Sequence, residues 1–132
     1  MTKRIVLPFP VSVNNIYKPQ RYGGGARIVL TKEARAYRER VIGMLKHVGR
    51  PLEGRLSIRI KLVPPAAWAS HEKRYGFDIA NYEKLMVDAM QDAGVMQNDN
   101  QIDEQYIVRG NPDGQGRAEI EIGLHEVLNE SA

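Results

Sequence analysis

The chain contains no cysteine. Neither a disulfide framework nor a thiolate zinc site can form, and the histidines His47, His71 and His125 are scattered without a metal-ligand spacing. No apolar run approaches the roughly 20 residues that a membrane span needs. The opening MTKRIVLPFP also lacks the long apolar core of a secretory signal, so a cytoplasmic protein with no membrane partner is expected. A strong excess of one charge is missing too: the formal net charge is +3 and the pI near 9.3, too mild to announce a nucleic-acid binder by itself. What is present, 42% apolar and 27% charged residues over a length of 132, suffices for one core, and a single domain over residues 1–132 is expected.

Charge says more through its placement than through its sum. Lys3, Arg4, Lys18, Arg21, Arg27, Lys32, Arg35, Arg38 and Arg40 crowd the first third, whereas Asp88, Asp92, Asp99, Asp103 and Glu104 gather in the last third. A basic surface around a carboxylate pocket would attract phosphates and leave acidic oxygens among them. Ordinary solvated faces would give the same distribution, and placement alone does not separate the two.

Periodicity supplies the elements. Residues 3–9, KRIVLPF, read as a strand stopped by Pro8 and Pro10, since proline cannot donate to a ladder. SVNNIYKPQRYGGGARIVL reads as a loop or hairpin turning at Gly23, Gly24 and Gly25; with no Lys-Ser/Thr pair after it, the triple glycine is not a phosphate loop. Thr31 caps a helix to about residue 48, with Ala34, Tyr37, Val41, Met44, Leu45 and Val48 at helical spacing. RLSIRIKL alternates cleanly, placing Leu56, Ile58, Ile60 and Leu62 inward and a basic set outward. A loop from Pro64 to Phe77 carries Lys73 and Arg74, and a second helix is expected over 79–93, stopped by Gly94. QYIVRG and RAEIEIGL read as strands joined through NPDG, a hairpin signal. The order predicts an α+β fold, a small mixed β-sheet with two helices packed on one face and a polar second face.

Three features of the second helix and its flanks could carry chemistry. Asp78 ends an extended segment at a helix start, Asn81 and Lys84 follow on one stripe, and Asp99 sits in the loop NDNQID. Two carboxylates brought together would offer hard oxygens to Mg²⁺, and a nearby lysine could neutralise charge on a phosphoryl group. Each residue also has a structural role open to it. Asp78 is a good N-cap, Lys84 can pair with Asp88 at i, i+4, and Asp99 suits a turn.

Four segments, LPFPVSVNNIY, LTKEARAYRERV, FDIANYEKLMVDAM and VMQNDNQID, resemble the RusA family of small phage and prophage Holliday-junction resolvases. The family motif runs Asp, any residue, Asp, Asn, two residues, Lys, with a further Asp in a downstream loop. Asp78, Asn81, Lys84 and Asp99 match it, while Ala80 stands where the second acid belongs. The resemblance implies a structure-specific endonuclease using Mg²⁺, with Mn²⁺ as a substitute, held by Asp78 and Asp99. It also implies a homodimer that makes paired nicks in a four-way DNA junction inside a bacterial host cell. Alanine removes one oxygen ligand, so the expectation is a chain that binds junctions and cuts them poorly; a non-cleaving junction-binding module is the alternative. Lys73 and Arg74 are the first candidates for phosphate contacts, followed by Lys18, Arg21 and Arg27 of the hairpin.

Overall fold

The computed structural model describes residues 2–125. In chain order the elements are β1 (Thr2–Leu7), β2 (Tyr17–Tyr22), β3 (Gly25–Leu30), α1 (Lys32–Met44), β4 (Leu56–Val63), α2 (His71–Gly76), α3 (Lys84–Asp92), β5 (Ile102–Arg109) and β6 (Arg117–Leu124). Single 3-10 turns occur at Val13–Asn15, Ala66–Trp68, Ile79–Asn81 and Asp99–Gln101.

The alternation in β4 is realised as read: Leu56, Ile58, Ile60 and Leu62 are buried, whereas Arg59 and Lys61 point to solvent. Ile5 and Leu7 of β1 and Ala118, Ile120 and Ile122 of β6 join that buried face. The helices supply the other half of the core. Thr31 caps α1 by accepting the Ala34 N–H at 3.1 Å, and α1 packs its Ala34, Tyr37 and Val41 stripe beside α3. From α3 come Leu85, Met86, Ala89 and Met90, all buried in the same cluster. The result is an α+β fold with a four-stranded mixed sheet of order β1-β6-β4-β5, β4 and β5 being its parallel pair.

Several local expectations are corrected. NPDG does not close a hairpin: β5 pairs only with β4, and β6 lies between β1 and β4. The connecting loop is bound instead to the end of β4, through Gly110 N–H to Leu62 O at 2.7 Å and Asp113 N–H to Pro64 O at 2.9 Å. Gly116 lets it pass, since at φ +81° an added Cβ would stand 2.9 Å from the Pro65 nitrogen. The helix expected over 79–93 is broken into a 3-10 turn and α3, and the expected loop before it contains α2, capped by Ser70. α1 ends at Met44 rather than near residue 48, and Met44 is exposed. Leu124, at the end of β6, is exposed as well.

The glycine-centred segment is a hairpin: β2 and β3 pair from Tyr17↔Leu30 to Tyr22↔Gly25 and join no other strand. Its residues from Tyr17 to Ile28 are exposed on both faces. The ribbon is anchored at its root, where Ile16 is buried and Thr31 donates from N to Ile16 O and from Oγ1 to Asn15 O.

Candidate active site

The proline-rich opening positions the motif. Phe9 meets Trp68, Phe77 and Tyr82 at ring-centroid distances of 5.3 to 5.8 Å, mostly edge to face, a favoured aromatic geometry. Phe77 and Tyr82 also touch each other, which fixes both ends of the segment that holds Asp78, Ala80 and Asn81. Arg109 of β5 stacks over Phe77 at 4.3 Å and donates to Arg74 O at 3.0 Å, clamping α2 and this segment to the sheet edge.

Asp78 caps the 3-10 turn as expected, its Oδ1 accepting the Ala80 N–H at 3.0 Å. The turn itself lies against β5. Ala80 is exposed, and Asn81 is half-buried at the turn's end. Beyond Tyr82 the polypeptide enters α3 with Glu83 at its N-cap.

Asp99 comes back alongside α3, on the flank that carries Glu83, Val87 and Gln91. Its turn is capped by Asn98, and Gln101 braces it from beneath: Oε1 accepts from the Gln97 and Asn98 N–H groups, while Nε2 donates to Leu52 O and Gly54 O. The Asp99 N–H donates to Gln91 Oε1 of α3 at 2.7 Å. Glu83, Val87, Asp99 and Asp103 line a depression of about 310 Å³ between α3 and β5; Asp78 is outside its lining. Asp103 is held below the usual carboxylate range by its hydrogen bonds to Arg55.

Lys84 and Glu83 share the field of Asp99. Lys84 pairs with Asp88 at 3.4 Å, and that carboxylate is the main cause of an ammonium held above its usual range; Tyr17, at the ribbon root, and Asp99 act in the same direction. Burial pushes the Glu83 carboxyl up, with Asp88 and Asp99 adding repulsion and Lys84 opposing it. Glu83 and Arg109 escaped sequence reading. A single Glu at a helix start resembles any surface residue, and nothing in the pattern of β5 tells that Arg109 meets Phe77.

The basic candidates divide. Lys73 is exposed in α2. Arg74 is half-buried, hydrogen-bonded to Asn111 and packed over Tyr75, so its guanidinium is largely engaged within the fold. Lys18, Arg21 and Arg27 are exposed along the ribbon, Arg27 lying over Tyr22 and donating to Gln20.

Residues 8–123 match the family described as endodeoxyribonuclease RusA. The chain is 29% identical over 121 residues to the crossover junction endodeoxyribonuclease rusA of Enterobacteria phage 82, an alignment covering 92% of this chain and 93% of that protein.

Proposed function

The chain belongs to the RusA family of endodeoxyribonucleases, and we propose that it engages four-way DNA junctions as a homodimer, in the bacterial cytoplasm, with a hydrolytic centre impaired at residue 80. The observation that carries the proposal is local. Asp78, Asn81, Lys84 and Asp99 keep the motif's polar groups, and Ala80 breaks it.

Hydrolysis of a phosphodiester adds a water oxygen to phosphorus and breaks a bond to a sugar oxygen, and the extra negative charge must be met as it develops. Lys84, firmly protonated beside Asp88 and Asp99, can meet it. The family resemblance implies Mg²⁺, or Mn²⁺ in its place, as the source of the activated water. Asp78 and Asp99 are hard-oxygen donors of the right kind. Their number falls short: Ala80 offers no oxygen, and among the described residues no three Asp, Glu or His side chains gather to hold a metal ion. The donor set does not fit a three-carboxylate site. Loss of one carboxylate also lowers repulsion toward phosphates, which favours binding without cutting.

Phosphate contact is assigned to exposed Lys73 and to Lys18, Arg21 and Arg27, with Arg74 chiefly holding α2 in place. Ala80 is exposed, so a carboxylate fits there without repacking the core. The test is cleavage of a four-way junction with Mg²⁺ by this chain and by Ala80→Asp. The variant is expected to cut about 100-fold faster or more, in line with the cost of a misplaced reacting group, while both bind the junction in a gel shift. Vigorous cutting by the parent chain would overturn the impairment. Binding by both with cutting by neither would favour a non-cleaving junction-binding module.

A further inference from the structure

Four tyrosines stand about half exposed: Tyr17 and Tyr22 on the ribbon, Tyr106 on the open face of the sheet, which with Val6 and Val108 is less polar than expected, and Tyr75 in α2. Single exposed rings are ordinary on a protein surface. Tyr75 is set apart by what holds it. The ring of His71, one helical turn earlier, meets it at 4.9 Å between centroids, and the guanidiniums of Arg74 and Arg109 lie 5.3 and 5.9 Å from its centre. Arg109 also lies 4.3 Å over Phe77. A series of flat groups therefore runs outward from the buried aromatic cluster, Phe77 to Arg109 to Tyr75, and ends in a residue that is still 52% exposed.

We propose that Tyr75 is the plate on which a nucleobase at the branch point of a four-way junction stacks. The inference rests on the proposed function for its substrate, and adds to it a contact with a base rather than with a phosphate. When the arms of a junction open around its centre, the last base pair of each arm has one face without a stacked neighbour. A flat aromatic ring can cover that face whatever the sequence, because every base has a π-face. A linear duplex offers such a face only at its ends. The stack thus tells a branch point from continuous duplex without reading sequence.

Place, charge and rigidity argue for this occupant. Tyr75 stands three residues before Asp78, so their Cα atoms are at most about 11 Å apart, about three nucleotide steps at roughly 3.4 Å each. A base held on the ring therefore belongs to the stretch of strand that the motif residues meet. Positive charge surrounds the plate: Lys73 is exposed in the same helix and Arg74 and Arg109 lie against the ring, while Glu72 is the one acid of α2. A free surface tyrosine loses rotamer freedom when it binds. One already held by three flat partners has lost that freedom beforehand, and such pre-organisation favours affinity.

The test titrates the full chain, without divalent metal so that phosphate repulsion keeps the arms open, against a four-way junction and a linear duplex of the same arm sequence. Tyr75→Phe and Tyr75→Trp keep a flat face and are expected to bind the junction as the parent does. Tyr75→Leu keeps apolar bulk without that face; it should bind the junction about 10-fold more weakly, the loss of one base–aromatic stack, with duplex binding unchanged. In a second measurement 5-iododeoxyuridine at the branch point is irradiated, and peptide mapping should place the adduct on Tyr75, whereas the same base in mid-arm should give none there. An equal loss on both DNAs would mark Tyr75 as a structural prop and overturn the inference. So would a Leu variant that keeps the parent's affinity for the junction, or a branch point that forms no adduct with Tyr75; either leaves the proposed function standing. A parent that binds the junction no more tightly than the duplex would refute the proposed function and this inference together.

Discussion

A carboxyl at Glu83 is half-buried at the start of α3, loses hydration there, and faces Asp88 and Asp99 with only Lys84 to offset them. All but one of these influences favour the protonated form, so its folded value lies above the ordinary 4.5. A raised folded value gives stability that is fully present below the unfolded value and is lost as pH rises through the folded one. Glu83→Gln should therefore raise the thermal midpoint at pH 7, and the gain should vanish in a scan at a pH below the ordinary Glu range. A midpoint that falls at pH 7 would show that the carboxylate is held for attraction rather than against repulsion. The same residue explains a limit of sequence reading. Asp78, Lys84 and Asp99 stood out by motif spacing, whereas the pressure on Glu83 comes first from its burial and then from Asp88, with a further contribution from Asp99, whose turn returns alongside α3.

That return is the work of an element, the Asp99–Gln101 turn, and Gln101 is its brace. Its side chain makes four hydrogen bonds, two to the N–H groups of Gln97 and Asn98 and two to the carbonyls of Leu52 and Gly54. At a net value of about 0.5 to 1.5 kcal/mol each, less where solvent competes, Gln101→Ala should cost about 2 kcal/mol in denaturant unfolding. A change within 0.5 kcal/mol would mean that the turn is held by Asn98 and Gln91 instead. Elements with strong internal rhythm were legible in advance: the alternation of β4, the Thr31 cap and apolar stripe of α1, and the β2–β3 hairpin. Pairing across the sheet was not. β5 and β6 have the composition and spacing of a hairpin, yet Gly110 and Asp113 bind the end of β4 and carry the chain past it, a long-range choice that local turn residues do not encode. The break before α3 has a similar origin. Tyr82 packs against Phe9 and Phe77, and its backbone at φ −113° leaves the helical path.

Over the whole molecule, a net charge of only +3 conceals a separation of sign. Lys18, Arg21 and Arg27 project on a ribbon whose root, at Tyr17, lies within the electrostatic reach of Lys84, so the basic arm begins beside the acidic depression. An isolated two-stranded ribbon is marginal in water, and one exposed on both faces gains most from a partner that covers it; a ribbon of this kind fits the major groove of a duplex arm. If the arm meets phosphates, each contact releases condensed counterions and contributes about 0.9 to the slope of log affinity against log salt. Replacing Lys18, Arg21 and Arg27 together by Gln should make that slope shallower by about 2 to 3 units in junction titrations across a salt series. The thermal midpoint should hardly move, because these side chains are exposed and form no ion pair among the described residues. Arg74→Ala should show the opposite signature: a lowered midpoint from the loss of the Asn111 bond and the Tyr75 contact, with little change of slope. An unchanged slope in the ribbon variant, with affinity intact, would remove the arm from the binding surface and leave Lys73 as the remaining candidate.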